Sequence, residues 1–168
     1  EHWCIHSGPG HWPDADMLPV GALRQDYRSE DWTEFTEDEQ ITMLSLWCMM
    51  RSPLMVGAHL PKNDEFTLKL LTNADILEIE EKSHCAHPLF RNEKEIAWIA
   101  PMKDSTGVYV ALFNISDEAR KITFSLPEYE LDHYQTVKEL WSQEKISGAK
   151  VLEPTVPAHG AVVYRMED

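Results

Sequence analysis

The chain carries two closely spaced aspartates, Asp14 and Asp16, near its beginning. They lie in the stretch Ser7–Gly21, SGPGHWPDADMLPVG, which contains three prolines and three glycines. Proline fixes φ and removes a backbone donor, while glycine permits positive φ, so this stretch predicts a rigid loop and neither a helix nor a strand. Because Trp12 and Met17 accompany the two carboxylates, and binding residues tend to lie on loops held by a scaffold, we expect part of a functional site here. The alternative is a proline-rich turn with solvated aspartates.

Metal binding is a second chemistry that residue types near the start of the chain suggest. The segment Glu1–His6 predicts a strand end on which His2, Cys4 and His6 share one face, and imidazole and thiolate are the usual zinc ligands. A fourth ligand such as His11 would have to fold back across a proline. Because such side chains more often line a surface than hold an ion, we predict no metal site. The same interpretation applies to a later group, which consists of His84, Cys85 and His87.

The overall charge narrows the classes of partner. The chain has 15 Lys and Arg residues against 29 Asp and Glu residues, a formal net charge of −14. Nucleic acids and anionic membranes are bound through basic patches, so we predict neither as a partner, whereas a neutral sugar is indifferent to this charge. Three cysteines form no disulfide framework, and no apolar run approaches the roughly 18 residues of a membrane span. These observations therefore do not identify the cellular compartment.

The elements that must position the loop begin with a capped helix. The sequence Thr36–Glu39 matches a capping box, in which the Thr36 hydroxyl and the Glu39 carboxylate each accept the other's backbone amide. From Gln40 onwards apolar residues occur on most sides at helical spacing, so the helix must be buried on most sides. It is expected to end at Arg51–Pro53. Before it, Ala22–Phe35 is predicted to be irregular.

A βα rhythm follows this helix. The continuous apolar run Leu54–Ala58 predicts a strand buried on both faces, as in parallel sheets. Asp64–Leu71 and Ala74–Glu80 then predict two further helices. This order favours an α/β fold for residues 1–84.

Residues 85–168 have a different character. Short β-type runs alternate with turn residues, which is typical of an antiparallel β-sandwich. The predicted strands are Ile96–Ala100, Gly107–Phe113, Lys121–Leu126, Thr136–Trp141 and Ala161–Tyr164. We therefore predict α/β followed by all-β, with the boundary near residues 85–93.

The loop and the helix together resemble a known family. GPGHWPDADMLPVG, followed by EDEQITMLSLWCMMRSPLMVGAHL, resembles the C-terminal part of a family 27 glycoside hydrolase, the family of α-galactosidases and α-N-acetylgalactosaminidases. Glu139–Ser142 and Pro157–Ala161 also resemble the sandwich that follows the barrel in that family. The matching loop and helix positions are Gly8, Pro9, Gly10, Trp12, Asp14, Asp16, Met17 and Leu18, then Ser52, Pro53 and Leu54.

The resemblance implies a fold. Residues 1–84 would be the last quarter of a (β/α)8 TIM barrel, because a whole barrel needs about 250 residues. His2–Ser7 would be its seventh strand and Leu54–Ala58 its eighth, and residues 85–168 would form the C-terminal antiparallel β-sandwich. The C-terminal ends of barrel strands line the active site, which is where the loop would lie.

The resemblance also implies roles in binding a carbohydrate such as an α-galactoside. Asp16 would accept hydrogen bonds from sugar hydroxyls and Met17 would form an apolar wall, while Trp12 and Asp14 would shape the loop around them. Which sugar is accepted, whether galactose, N-acetylgalactosamine or arabinopyranose, is not determined by these residues. No cofactor is implied, since retaining glycosidases use carboxylates and water.

The catalytic pair is not expected in this chain. Retaining glycosidases need two carboxyl groups about 5–5.5 Å apart that flank the scissile bond. The family takes both from earlier strands: the nucleophile from a Lys-x-Asp strand end and the acid/base from an Asp four residues after an Arg. Two carboxylates on one loop, such as Asp14 and Asp16, cannot bracket a glycosidic bond. We therefore expect a fragment of a retaining hydrolase that is inactive alone.

A second function remains open: a non-catalytic β-sandwich module for binding or assembly, with a helical N-terminal extension. The apolar helix Ile41–Met50 discriminates between the two, because in an independent module its outer side needs a partner. The candidate partners are the missing N-terminal half of the barrel and a second copy of the chain.

We predict that the isolated 168-residue chain associates. A barrel quarter leaves strand edges unpaired and apolar surface exposed, which favours aggregation or dimerisation. Sedimentation velocity over a range of concentrations would measure this, and a stable, well-folded monomer would contradict it.

Overall fold

The computed structural model describes residues 4–168. The strand predicted over His2–Ser7 lies partly outside the described residues, and the candidate zinc ligand His2 lies outside them entirely. For the described part of this segment the strand prediction is wrong, because Cys4–His6 forms a 3₁₀ turn. The Ser7 amide donates to the Cys4 carbonyl at 3.2 Å, so this backbone closes on itself instead of entering a ladder.

Helix α1 (Glu37–Met50) begins as the sequence predicts. The Thr36 hydroxyl accepts the Glu39 amide at 3.2 Å, and the Glu39 carboxylate accepts the Thr36 amide at 2.8 Å. The Thr36 amide and the Thr36 hydroxyl both donate to the Glu39 carboxylate, and these two hydrogen bonds hold the pKa of Glu39 below its usual value. The helix ends at Arg51, whose left-handed conformation (φ 56°) lets its amide reach the carbonyls of the last turn.

Two shorter helices follow, and both predictions are confirmed. Helix α2 (Glu65–Leu71) is capped by Asp64, whose side chain accepts the Thr67 amide. Helix α3 (Ala74–Lys82) is capped in the same way by Asn73, whose side chain accepts the Ile76 amide. A 3₁₀ turn over Leu60–Lys62 precedes them.

Helix α1 is buried on most sides, as its apolar pattern requires. No residue from 40 to 50 is exposed, and the helix packs against α2, α3 and the sheet that follows. Two polar residues fasten it to that sheet's loops: Thr42 donates to the His159 carbonyl at 2.7 Å, and Ser45 accepts the Trp141 indole N–H at 3.0 Å. The polar side chains of α1 therefore lock it in register with the β-rich half.

Two local predictions in the first half are wrong. Ala22–Phe35 is not irregular, because β1 (Ala22–Gln25) and β2 (Glu30–Trp32) pair as an antiparallel hairpin closed by the Asp26 carboxylate. Leu54–Ala58 forms no strand: its ladder contact is one parallel bridge between Val56 and Leu18. A parallel strand needs neighbours along its length, and among the described residues this segment has that bridge alone.

The β-rich half is built on a six-stranded antiparallel sheet, ordered β3-β4-β5-β12-β8-β9. Two short pairs, β10-β7 and β11-β6, form a second layer. The strands are β3 (His87–Arg91), β4 (Glu95–Pro101), β5 (Val108–Asn114), β6 (Arg120–Lys121), β7 (Phe124–Ser125), β8 (Thr136–Glu139), β9 (Lys145–Ser147), β10 (Val151–Leu152), β11 (Thr155–Val156) and β12 (Ala161–Glu167).

Most predicted strands of this half are confirmed, with one correction. Lys121–Leu126 is not continuous: β6 and β7 pair with different strands, and a 3₁₀ turn begins at Leu126. The Ile122 amide between them donates to the Pro154 carbonyl, so the chain switches partner there.

The central strands are buried on both faces. In β5, Val110 and Leu112 face the core shared with the short strand pairs, whereas Tyr109 and Phe113 face the core shared with α1 and α3. Successive strand residues point to opposite faces, so one continuous apolar run serves two cores. Since the second core contains residues of both halves, the division at residue 85 stays a prediction.

The Glu139 carboxylate, at the end of β8, anchors the turn that follows this strand. It is buried and accepts the amides of Trp141, Ser142 and Val163. These contacts form the turn that presents the Trp141 indole to α1. Among residues 4–168 the structure has no helix long and apolar enough to cross a bilayer.

Removing the α1 cap should destabilise the protein. Thr36→Ala leaves the Glu39 amide without its acceptor and should lower the free energy of unfolding by about 1 kcal/mol. Urea unfolding followed by circular dichroism measures this. Thr36→Ser keeps the hydroxyl and is the control; equal stability of both variants would contradict the capping role.

Candidate functional site

The loop predicted to bind ligand starts with a tight turn. The Gly8 amide donates to the His11 carbonyl at 2.9 Å and the His11 amide donates back at 3.0 Å. Pro9 and Gly10 occupy the corner, where Gly10 has φ +93°. Proline followed by a residue with positive φ is the type II turn pattern, so glycine is required at position 10.

The two aspartates then fold the loop back on itself. The Asp14 carboxylate accepts the Asp16 amide at 2.9 Å, and the Asp16 carboxylate accepts the Met17 amide at 2.6 Å. Asp16 adopts φ +73°, a left-handed conformation that Asp and Asn tolerate better than most residues. Each aspartate thus uses one carboxylate oxygen to accept a backbone amide of the loop.

The last turn of α1 holds this loop from behind. The Trp47 indole N–H donates to the Asp16 carbonyl at 3.0 Å, and the buried Ser52 hydroxyl accepts the Ala15 amide at 2.9 Å. The Arg51 guanidinium lies over the Trp12 ring, 3.9 Å from its centroid. Three contacts from residues at and just after the end of α1 therefore fix the loop.

A buried leucine secures the far end of the loop. The Leu18 amide donates to the Met55 carbonyl at 2.7 Å, and the Gly57 amide donates to the Leu18 carbonyl at 2.9 Å. Leu18 is 1% exposed, while its neighbour Met17 is 54% exposed. A Cβ at Gly57 would lie 3.3 Å from the Met17 Cβ, so glycine there leaves room for the methionine.

The structure brings the four expected binding residues onto one loop but divides them between two sides. Asp14, Asp16, Trp12 and Met17 are all exposed. Trp12 and Asp14 line a largely apolar cavity of about 560 Å³ between the loop, α1 and the sheet, whereas Asp16 and Met17 do not. The second carboxylate oxygen of Asp16 has no protein partner within residues 4–168 and can accept a hydrogen bond from a ligand.

The sequence reasoning missed the residues that support the loop. Trp47 and Ser52 were assigned to the helix pattern and to its end, and Arg51 to a stop signal. A signal for Trp47 existed: its indole N–H needs a partner when the ring is buried in an apolar helix. For Arg51 and Ser52 no local pattern predicts a contact with a loop about 40 residues earlier.

One carboxyl group behind the loop is strongly perturbed. Burial raises the pKa of Glu80, on α3, to about 7, although Arg51 and Lys103 act in the opposite direction. Burial and the Glu80 charge together raise the pKa of the Cys48 thiol far above its usual value. Cys48 is therefore a packed thiol and not a nucleophile.

Metal-ligand geometry does not occur in the described part of the chain. No group of three or more His, Cys, Asp or Glu side chains within residues 4–168 could hold an ion. His84 Nε2 hydrogen-bonds the Met102 carbonyl, and His87 Nδ1 hydrogen-bonds the Cys85 carbonyl, so both imidazoles are used in local structure.

Comparison with known proteins shows which family this chain resembles. The family model described as alpha galactosidase A matches residues 2–82, and the model described as the alpha galactosidase C-terminal beta sandwich domain matches residues 93–166. The chain belongs to the alpha-galactosidase family. Its two parts are the end of a (β/α)8 barrel and the C-terminal β-sandwich of that family.

Individual members of the alpha-galactosidase family match nearly the whole chain. Alpha-galactosidase D of Emericella nidulans is 31% identical over 96% of this chain and 24% of its own length. Alpha-galactosidase A of Cellvibrio japonicus is 30% identical over 96% of this chain and 40% of its own length. The GH27 β-L-arabinopyranosidase of Geobacillus stearothermophilus superposes with a TM-score of 0.91 and 34% identity over 99% of this chain and 39% of its own. This chain thus spans between a quarter and two fifths of these relatives.

The Asp14 contact can be tested without a ligand. Asp14→Ala removes the acceptor of the Asp16 amide, so exchange of that amide with solvent should accelerate about tenfold. Asp14→Asn keeps an acceptor oxygen at the same position and should exchange like the parent. NMR-detected hydrogen exchange measures both, and unchanged exchange in Asp14→Ala would contradict this role.

Proposed function

We propose that this chain supplies the sugar-binding loop and the β-sandwich of a retaining glycoside hydrolase that acts on terminal α-linked galactose-type sugars. The observation that carries the proposal is the loop itself: an exposed carboxylate oxygen on Asp16 beside the exposed Met17, both held by the end of α1. A preorganised acceptor next to an apolar surface suits a sugar, which presents hydroxyl groups and an apolar ring face.

Each loop residue has a role in this proposal. Asp16 accepts hydrogen bonds from ring hydroxyls, and its charge makes those bonds stronger than neutral ones. Met17 packs against the apolar side of the sugar. Asp14 shapes the turn through the Asp16 amide, and Trp12 forms the side of the loop that faces the sheet.

The catalytic carboxylates belong to parts of the protein outside this chain. Retaining hydrolysis needs a nucleophile and an acid/base that flank the scissile bond. Asp14 and Asp16 support this division of labour, because the Asp14 carboxylate is hydrogen-bonded to the backbone of Asp16 on the same turn. The chain on its own therefore binds without hydrolysing.

The sugars named for the relatives support this substrate class. α-D-Galactopyranosides and β-L-arabinopyranosides have the same arrangement of ring hydroxyls, and the second lacks the hydroxymethyl group at C5. An acceptor such as Asp16 reads the hydroxyls that both sugars carry.

The proposal predicts the effect of neutralising Asp16. Asp16→Asn keeps a side chain that tolerates the left-handed conformation but loses the charge, so kcat/KM of the full-length natural protein should fall about 10- to 100-fold. Steady-state assays on 4-nitrophenyl α-D-galactopyranoside and β-L-arabinopyranoside measure this.

The exposed Asp104, in the loop between β4 and β5, provides a matched control. Asp104→Asn should leave kcat/KM unchanged on both substrates. The 168-residue chain alone should hydrolyse neither substrate. Unchanged kinetics in Asp16→Asn would overturn its role. A full-length protein without glycosidase activity would favour the non-catalytic binding or assembly module instead.

A further inference from the structure

Arg51 occupies a junction between three elements. It is the residue that ends α1, its Nε donates to the Glu80 carbonyl on α3 at 2.8 Å, and its guanidinium covers the Trp12 ring of the loop at 3.9 Å. The backbone amide closes the helix, and the guanidinium group makes the other two contacts. Arg51 thus connects the two helices to the loop.

The backbone of Arg51 aims the side chain. Its left-handed conformation (φ 56°, ψ 44°) lets its amide close the helix on the Cys48 and Trp47 carbonyls. The next residue, Ser52, is fully buried and accepts the Ala15 amide. The side chain therefore leaves a rigid turn and has little freedom before it reaches Trp12.

The indole that Arg51 covers would otherwise have few neighbours to hold it. Trp12 is 36% exposed and lines cavities on both of its sides, the 560 Å³ cavity towards the sheet and a second one that includes Arg51 and Lys103. A guanidinium over an indole face contributes through the ring quadrupole and through stacking. In this half-open setting, the structure shows the Arg51 guanidinium against one face of the ring.

We propose that Arg51 is a positioning residue of the sugar-binding loop, which it holds through Trp12. This inference rests on the proposed function only in so far as the loop binds sugar. Loss of the Arg51 side chain releases Trp12, and the loop segment that leads to Asp16 loses one of its three supports from α1.

The Glu80 carboxyl group sets the strength of this support. One of its oxygens is buried without a hydrogen-bond partner, and the charged or titratable groups that act on it are Arg51 and Cys48 from the α1 side and Lys103 after β4. The raised pKa of Glu80 means that it gains its charge as the pH rises through about 7. The ionised carboxylate attracts the guanidinium, so the Arg51 position is held more firmly above that pH than below it.

The test uses full-length natural protein labelled with 5-fluorotryptophan. Loss of a ¹⁹F resonance in Trp12→Phe identifies the Trp12 signal. We expect this signal to shift with pH around 7 in the parent, to shift less over that range in Glu80→Gln, and to move to a new position in Arg51→Met. Arg51→Lys keeps a cation and should lie between the parent and Arg51→Met.

A matched control removes an equivalent contact elsewhere. Arg28 lies over the Tyr27 ring at 5.1 Å in the β1–β2 hairpin, so Arg28→Met deletes an arginine–aromatic pair without touching the loop. The Trp12 resonance should be the same in Arg28→Met as in the parent. A Trp12 signal that is identical in Arg51→Met and the parent would overturn the proposal.

Kinetics separate this proposal from the proposed function. Arg51→Met should raise KM about three- to tenfold with kcat changed less than twofold, since a cation–π contact contributes on this scale. An equal fall in kcat with unchanged KM would overturn the positioning role. If the parent hydrolyses no glycoside while the ¹⁹F shifts follow Arg51, the proposed function fails and the Arg51–Trp12 contact stands.

Discussion

The site depends on the last turn of α1. Within six residues this turn supplies an indole donor, a guanidinium and a buried hydroxyl, which contact the loop at Asp16, Trp12 and Ala15. The loop closes its own turns through the Gly8–His11 pair and the two aspartate carboxylates. The contacts from the helix end fix where those turns lie against the rest of the protein.

The helix can act in this way because it is itself fixed at several points. Thr36 and Glu39 satisfy the amides at its first turn, and the left-handed Arg51 satisfies the carbonyls at its last turn. Between them, Thr42 and Ser45 hydrogen-bond to loops of the β-rich half. These contacts at both ends and along one side fix the position of the helix against which the loop packs.

Local chemistry made much of this predictable. The capping box, the stop at Arg51–Pro53 and the apolar run of β5 depend on neighbours in sequence, and the structure has all three. The hairpin around Asp26 and the break in Lys121–Leu126 depend on which strands are available as partners, which spacing alone does not state. The Leu54–Ala58 run was misread for the same reason: its composition suits a buried strand, but its partners determine whether a ladder forms.

The candidate site divides in the same manner. Residue types and the family resemblance indicated Asp14, Asp16, Trp12 and Met17. The contacts that hold them join residues 31 to 39 positions apart, and such pairs are set by tertiary packing. The direction of Trp12 towards the sheet, away from Asp16, likewise follows from Arg51 and from no feature of the loop sequence.

The two-faced sheet has a consequence for how this protein can be taken apart. A cut near residue 85 follows the change from helices to strands, yet it would strip the helices from Trp98, Tyr109, Phe113 and Val163, which line one face of the sheet. The excised strands would keep the core that they share with the short strand pairs. The opposite face of the sheet, which the helices cover in the intact chain, would become a broad exposed apolar surface. The border in secondary structure therefore does not coincide with a border in the packing, and the sheet and the helices are stable only with each other.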